Sequence, residues 1–348
     1  MSESIQDQLD KNRRSVAFDS YDLAIRQLVD MLAEKTIDIA PEYQRHFKWN
    51  EERQSQLIES LLLGIPVPSL FMATNPDSTW EVVDGLQRLT TLINFVGSDA
   101  DIIRVNKLGK KLKLFGLEKM SSLNGLTFEE LPKSVQLTFL TRPIRVTVLN
   151  DRSDFGVRYD LFERLNTGGI TLHPQEIRNC IFIGEFNDFI KKCAQHRAFR
   201  NVLKLAADAE RSGSHEELVL KFFAYYECEE QFVHSVEGFL NNYMESKSKS
   251  FTNKRQLKDR FESTFRALDA ALPGGIVRSS RVNTTPLVLY EAMSVGLAKA
   301  LDDGALIDAT LLRNLLDDPS LKRLTTGATN SRKMLSSRIA YVRNGCHK

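Results

Sequence analysis

The stretch Glu81-Val-Val-Asp-Gly-Leu-Gln-Arg88 passes from an apolar run through a glycine into a helical pattern, and those residue types in that order define a chemistry. A helix N-terminus leaves backbone N–H groups unpaired and carries a partial positive charge. A strand that turns through Gly85 into a helix therefore offers an anion site, with phosphate as the natural occupant. Arg88, in the first helical turn, can add a fork of donors to the same anion. Asp84, at the strand end, could hold a metal, a sugar hydroxyl or an attacking water, and Gln87 could orient that water or read a base edge. The plainer alternative is that Asp84 caps the helix and Arg88 is a surface charge, which for a lone D-G-x-x-R string is the better reading.

The elements that must hold this turn are legible around it. Leu70-Phe-Met72 and Trp80-Glu-Val-Val83 are short apolar runs separated by the turn-rich Asn75-Pro-Asp-Ser78, which predicts a strand pair. Leu89, Leu92, Ile93 and Val96 then take helical spacing up to Gly97. Upstream, Tyr21, Ile25, Leu28 and Leu32 predict an amphipathic first helix capped by Ser20, followed by a strand at Thr36-Ile-Asp-Ile39. Asn50 is a candidate cap for a helix that buries Leu57, Ile58, Leu61 and Leu62 and stops at Gly64. Ile144, Val146 and Val148 alternate as in a strand, and 155–165 and 174–183 read as helices around the loop Asn166-Thr-Gly-Gly169. The rest is largely helical, with Met244 to Arg260, a Ser/Lys-rich run, read as a long exposed loop. The pattern is α+β first, then mainly α-helical.

Composition bounds the function. The 348 residues suit two domains, and 42% hydrophobic with 26% charged residues is ordinary globular composition. Lysine plus arginine is 47 against 45 acidic residues, so any charge argument must be local. The four cysteines lack a C-x-x-C pair and are too sparse for a disulfide scaffold, which points to a reducing cytosol. Residues 1–20 lack the apolar segment of a signal peptide, and no run of eighteen apolar residues occurs, so a soluble, cytoplasmic chain without a membrane partner is expected.

Four spaced blocks add a resemblance. Pro41-Glu-Tyr-Gln-Arg45 with Trp49, Leu57-Ile-Glu-Ser-Leu61 with Gly64-Ile-Pro-Val-Pro68, Val83-Asp-Gly-Leu-Gln-Arg-Leu-Thr-Thr-Leu92, and Phe162-Glu-Arg-Leu-Asn-Thr-Gly-Gly169 leading into Gln175-Glu-Ile-Arg178 occur in order over residues 37 to 180. Together they resemble the GmrS-like N-terminal domain of GmrSD-type modification-dependent restriction enzymes, recognised by the string D-G-Q-Q-R. The resemblance implies a ParB/sulfiredoxin-like small mixed sheet with helices, a nucleoside-triphosphate site at the D-G-Q-Q-R region, and hydrolysis coupled to antiviral DNA cleavage. It makes Asp84 and Gln87 the candidate catalytic residues and Asp84 the candidate ligand of Mg2+. Nucleotide binding falls to Gly85, Arg88, Tyr43, Gln44, Arg45, Arg164 and Asn166. Arg45 is equally readable as a salt-bridge partner, and the Gly168-Gly169 turn as an ordinary helix end. One departure matters: the family's first glutamine is Leu86 here, which puts hydrolysis in doubt and leaves phosphate binding by the turn intact.

Other chemistries lack their residues. The six histidines have no ligand spacing for an HNH-type nuclease, and Pro76-Asp77 is followed by Glu81-Val-Val83 without the lysine of a P-D…(D/E)-x-K nuclease. Cys180 and Cys193 fall at helical spacing among apolar residues and read as small core residues. Residues 319–348 hold seven lysines and arginines and no aspartate or glutamate. Leu335, Ile339 and Val342 there predict a helix over 331–343 with basic residues outside, so that Arg332, Lys333, Arg338 and Arg343 could meet DNA phosphates or a partner's acidic face. The alternative is a solvated helix whose cations balance Asp302, Asp303, Asp317 and Asp318. The expected organisation is a nucleotide-binding domain over 1–180 and a helical domain over 181–348. Two functions stay open. One is a nucleotide-binding, NTP-hydrolysing component of a prokaryotic DNA-restriction or antiviral defence system that works with a partner nuclease or effector. The other is a non-catalytic DNA- or nucleotide-binding regulator. The base of the nucleotide and a homodimeric state are likewise left open.

Overall fold

In the computed structural model, residues 17–39, 47, 49–75, 77–100, 111–150, 155–165, 173–206, 209 and 212–347 are described. Contacts divide the chain into two units, Met1–Thr171 and Leu172–Lys348. The α+β division expected from the sequence is found: a mixed sheet with helices in the first unit, helices in the second.

The first unit is built on a sheet of five strands among the described residues, β1 (Phe18–Ala24), β2 (Ile37–Asp38), β3 (Leu70–Thr74), β4 (Trp80–Asp84) and β5 (Pro143–Leu149), in the order β1-β5-β3-β4-β2. β3 and β4 run antiparallel, as a strand pair joined by a short turn must, and β3 lies parallel to β5 with Leu70 opposite Val146. Leu70, Met72, Ala73, Val82, Val146 and Val148 are buried, so the middle of the sheet is covered on both faces. Helix α1 (Ile25–Ala33) buries Ile25, Leu28 and Leu32 as spaced in the sequence, but it starts after Tyr21, not before it. Phe18 to Ala24 is instead a strand, because it pairs residue for residue with β5 and Arg145 clamps Asp22 across the pair with two hydrogen bonds. That partner lies more than a hundred residues away, outside the reach of local periodicity.

Helix α2 (Glu51–Leu63) begins where Asn50 Oδ1 accepts from the Arg53 N–H and ends on left-handed Gly64. Helix α3 (Leu86–Val96) buries almost its whole length, with Phe95 edge-on to Phe128 and Phe139, the latter on α4 (Lys133–Leu140). Helix α5 (Phe155–Leu165) packs near β4.

The second unit comprises α6 (Pro174–Ile181), α7 (Glu185–Ala194), α8 (Arg197–Asn201), α9 (Ser214–Cys228), α10 (Val236–Lys249), α11 (Lys254–Ala271), α12 (Leu287–Asp302), α13 (Ala309–Leu315), α14 (Pro319–Leu324) and α15 (Arg332–Gly345). The run Met244 to Arg260 is not a loop. It is the end of α10 and the start of α11, with a short break at 250–253, and Tyr243, Met244 and Leu257 reach the core. Its lysines misled because each finds a carboxylate only in the folded unit, Lys249 and Lys258 one turn away at Glu245 and Glu262, Lys247 and Lys254 on other helices at Glu227 and Glu185. Phe199, Phe222, Phe261, Phe265 and Tyr290 form an aromatic cluster at the centre.

A chain of buried charges crosses that core. Arg178 donates to Asn241, Gln175 and Glu217; Lys221 lies between Glu217 and Glu291; and Arg338 reaches Glu291 at 2.7 Å and the Thr329 carbonyl at 2.8 Å. Burial alone would raise the Glu217 carboxyl, but Lys221 and Arg178 hold it below its ordinary value. Close packing of α12 on α15 depends on Gly296, where a Cβ would stand 2.7 Å from that of Val342. Breaking one member of a buried pair leaves an uncompensated charge. We expect Arg338→Ala to lower the unfolding free energy by about 3 to 5 kcal/mol in chemical denaturation; a loss below about 1 kcal/mol would show that Glu291 finds other compensation.

Candidate functional site

The strand–glycine–helix turn forms as the sequence requires. β4 ends at Asp84, Gly85 adopts φ +101°, and α3 starts at the next residue. Left-handed backbone favours glycine, and here there is a second reason: a Cβ on Gly85 would stand 2.3 Å from Leu70 Cδ2. Among the described residues no side chain caps α3, and its first N–H groups have no intrahelical acceptor.

Arg88 and Asp84 are one helical turn apart and joined at 2.6 Å, with the arginine side chain 14% and the aspartate 39% exposed. The second arm of Arg88 donates to the carbonyls of Pro68 and Ser69, the latter at 3.0 Å. Arg88 therefore staples the extended exit of α2, forced by Pro66 and Pro68, to the end of β4. Asp84 accepts from Arg88 through Oδ2 and is partly exposed; a carboxylate in that position can take a hard cation or a hydroxyl donor.

Gln87 reaches back to the start of α2. Its Oε1 accepts the backbone N–H of Trp49 at 3.1 Å. The Trp49 carbonyl in turn accepts from Gln54 Nε2, and Gln54 Oε1 accepts from Asn94 Nδ2 at 2.9 Å, which ties α2 to α3 through a buried amide pair. Arg53 sits over the Trp49 ring at 5.3 Å. Reading residue types alone missed the Trp49 and Gln54 contacts. The signal was available, since Trp49 and Pro68 stand in the same spaced blocks as Asp84. Leu86 is half-buried at the first helical position.

Tyr43, Gln44, Arg45 and Asn166 lie outside the described residues, as do Gly168 and Gly169. Arg164 is in the last turn of α5. Glu176 accepts the His173 N–H at the start of α6, and Arg178 belongs to the buried charge chain, so both serve structure. Cys180 and Cys193 are core residues, and burial, with Glu262 nearby, pushes the Cys193 thiol up to about 12.

The C-terminal helix requires a correction. Ser331 caps it and Leu335, Ile339 and Val342 face inward as predicted, but Arg338 is buried at 1% exposure against Glu291 and is not on the outside. Position 338 falls three residues after Leu335 and four before Val342, inside the apolar seam. Arg343 is engaged by both oxygens of Asp303, whose carboxyl it holds below the usual range. Arg332 and Lys333 are exposed.

The fold and turn thus define an α+β domain in which a strand ending in aspartate passes through a left-handed glycine into a helix whose arginine returns to that aspartate. Residues 25–183 match the family described as GmrSD restriction endonuclease, N-terminal domain, so the recognition drawn from the four sequence blocks holds over that stretch. No curated protein matches the chain. Among solved structures, a Pnob8-like ParB-N domain is similar over 94% of this chain and 99% of its own, at 12% identity and a TM-score of 0.22, a superposition too loose to bear on the fold. No helix among the described residues is long and apolar enough to cross a membrane.

Loss of the Gln87 acceptor should free the Trp49 segment, at a net stability change of about 0.5 to 1.5 kcal/mol for one hydrogen bond. With only two tryptophans in the chain, Trp80→Phe isolates Trp49 as a reporter. In that background Gln87→Ala should shift the emission to the red and increase quenching by acrylamide, whereas an unchanged spectrum would mean that Trp49 is held by other contacts.

Proposed function

We propose that the Gly85 turn binds a nucleoside triphosphate and that the protein is the nucleotide-binding component of a prokaryotic DNA-restriction system, acting with a partner nuclease. The observation that carries this reading is the uncapped start of α3 beside the half-exposed Asp84 carboxylate, within the stretch that matches a restriction-endonuclease domain. The α3 N-terminus supplies N–H donors and positive potential for phosphate. Arg88 keeps Pro68, Ser69 and Asp84 in register around it and stands ready to exchange a carbonyl for a phosphate oxygen, a stronger acceptor for guanidinium.

Mg2+ fits this donor set. It is commonly held by one or two carboxylates, substrate phosphates and waters, and Asp84 Oδ1 is such a carboxylate. Among the described residues no three His, Cys, Asp or Glu side chains converge, so phosphate and water would complete the sphere. The ion would neutralise phosphate charge; Asp84 would fix its position.

Two observations favour binding without fast hydrolysis, the regulator reading. Leu86 stands where the family string has a glutamine, and the Oε1 of Gln87 is taken up by Trp49. Antiviral defence belongs to this proposal only through the family likeness.

Asp84→Ala and Arg88→Ala should each weaken triphosphate binding by about 1.5 to 3 kcal/mol, the worth of a charge-assisted contact, without unfolding the protein. Calorimetric titration with each of the four NTPs and Mg2+ checks this, and equal affinity in wild type and both variants would remove the site from the turn. Leu86→Gln should raise single-turnover phosphate release more than it changes affinity, because a side chain that positions water acts on the transition state. A variant that loses affinity instead would make Leu86 a packing residue.

A further inference from the structure

The helical unit presents a cationic face built from two segments that are far apart in sequence. Residues 270–290 and 319–348 both lack aspartate and glutamate. Arg278 joins them: its buried guanidinium donates to the Leu316 carbonyl and to Thr325 Oγ1, each at 2.6 Å, while the neighbouring Ser279 N–H is accepted by Asp317. The turn that carries Arg281 is thereby fixed beside the end of α14 and the loop into α15.

Five cations are exposed on these segments: Arg281, Lys322, Arg323, Arg332 and Lys333. None has an ion pair among the described residues. Elsewhere in this unit the cations of α10 and α11 are matched with carboxylates, as in Lys247–Glu227 and Arg266–Glu262. Of the carboxylates beside these segments, Asp317 accepts from the Ser279 N–H and Asp318 from the N–H groups of Ser320 and Leu321, while Arg323 helps to hold the Asp318 carboxyl below its ordinary range without pairing with it. Arg332 is braced through Nε to the Phe232 carbonyl and remains exposed, and Arg332 and Lys333 occupy the first turn of α15, where the helix dipole opposes cations. An anionic partner would relieve both the mutual repulsion and the dipole conflict.

We propose that this face binds the phosphate backbone of duplex DNA. The segments between the cations carry hydroxyl and amide groups, Ser279, Ser280, Thr326 and Asn330, which suit phosphate oxygens. Residues 279–285 and 322–333 hold no phenylalanine, tyrosine or tryptophan, so the face has no platform for stacking unpaired bases. With Val282 and Leu287 the exposed large apolar side chains of these segments, it also lacks the broad apolar centre of a protein interface. The proposal assigns Arg281, Lys322 and Arg323 to the interface along with Arg332 and Lys333, and takes Arg338 and Arg343 out of it. It does not depend on a nucleotide at Gly85.

The test is a salt series of anisotropy titrations of the full chain with a short mixed-sequence DNA duplex. Five phosphate contacts give a slope of log K against log salt of about −4 to −5, since each contributes about −0.9. Arg281→Gln with Lys333→Gln should weaken binding at every salt concentration and flatten the slope by about 1.8. Lys322→Gln alone should flatten it by about 0.9, and Arg343→Gln, whose guanidinium belongs to Asp303, should leave it unchanged. The proposal is overturned by absence of duplex binding, by an unaltered slope in the double variant, or by tighter binding of single-stranded DNA or duplex RNA than of duplex DNA.

Discussion

The left-handed backbone at Gly85 is the constraint from which the first unit takes its form. With φ at +101° and the Leu70 side chain filling the place of a Cβ, β4 can give way to α3 within one residue. That abruptness puts Asp84 and Arg88 one helical turn apart, brings the arginine back over the carbonyls of Pro68 and Ser69, and aims Gln87 at Trp49. A side chain at this position would be strained at that φ and would have to push aside the δ-methyl of Leu70, the β3 residue that pairs with Val146. Sheet register, helix origin and the Asp–Arg pair therefore share one backbone conformation.

In the helical unit the same residue type serves opposite ends. Arg338 and Arg332 are separated by less than two turns of α15, yet one is desolvated against Glu291 and the other is exposed. Desolvating a guanidinium is costly unless its donors are matched, and Arg338 is matched at Nη1 by Thr329 and at Nη2 by Glu291, while its Nε is buried without an acceptor. Exposed cations bear no such cost and remain free to exchange water for another anion. The geometry sorts the basic residues of the tail by helical phase.

Much of this was legible because it is local. The glycine turn, the Asn50 cap, the Gly64 stop and the β3–β4 pair each depend on residues within a few positions of one another. What was not legible depends on partners far along the chain. Tyr21 sits at helical spacing with Ile25 and Leu28, but β5 claims it for the sheet. Met244 to Arg260 reads as solvated because its lysines find their carboxylates only once the helix exists. At the site, Asp84 and Arg88 could be paired from their spacing, whereas the engagement of Gln87 by a backbone N–H thirty-eight residues earlier has no local signature. Arg338 is the instructive case between these: its phase placed it in the seam, and its charge argued against that.

Helix α6 has a consequence for how the chain can be taken apart. The family likeness runs to residue 183, yet α6 lies in the second unit, with Arg178 bonded to Asn241 and Glu217 and a tight approach of Gln175 to Gly213. The stretch that is recognisable as one module and the stretch that packs as one body overlap by a helix. A fragment severed at 183 would leave with a guanidinium that has lost its counter-charge, and the helices left behind would keep Asn241 without that donor and Glu217 with Lys221 alone. The natural seam lies upstream of Pro174, so separation, recombination or grafting of the two bodies has to respect the charge chain, not the edge of the likeness.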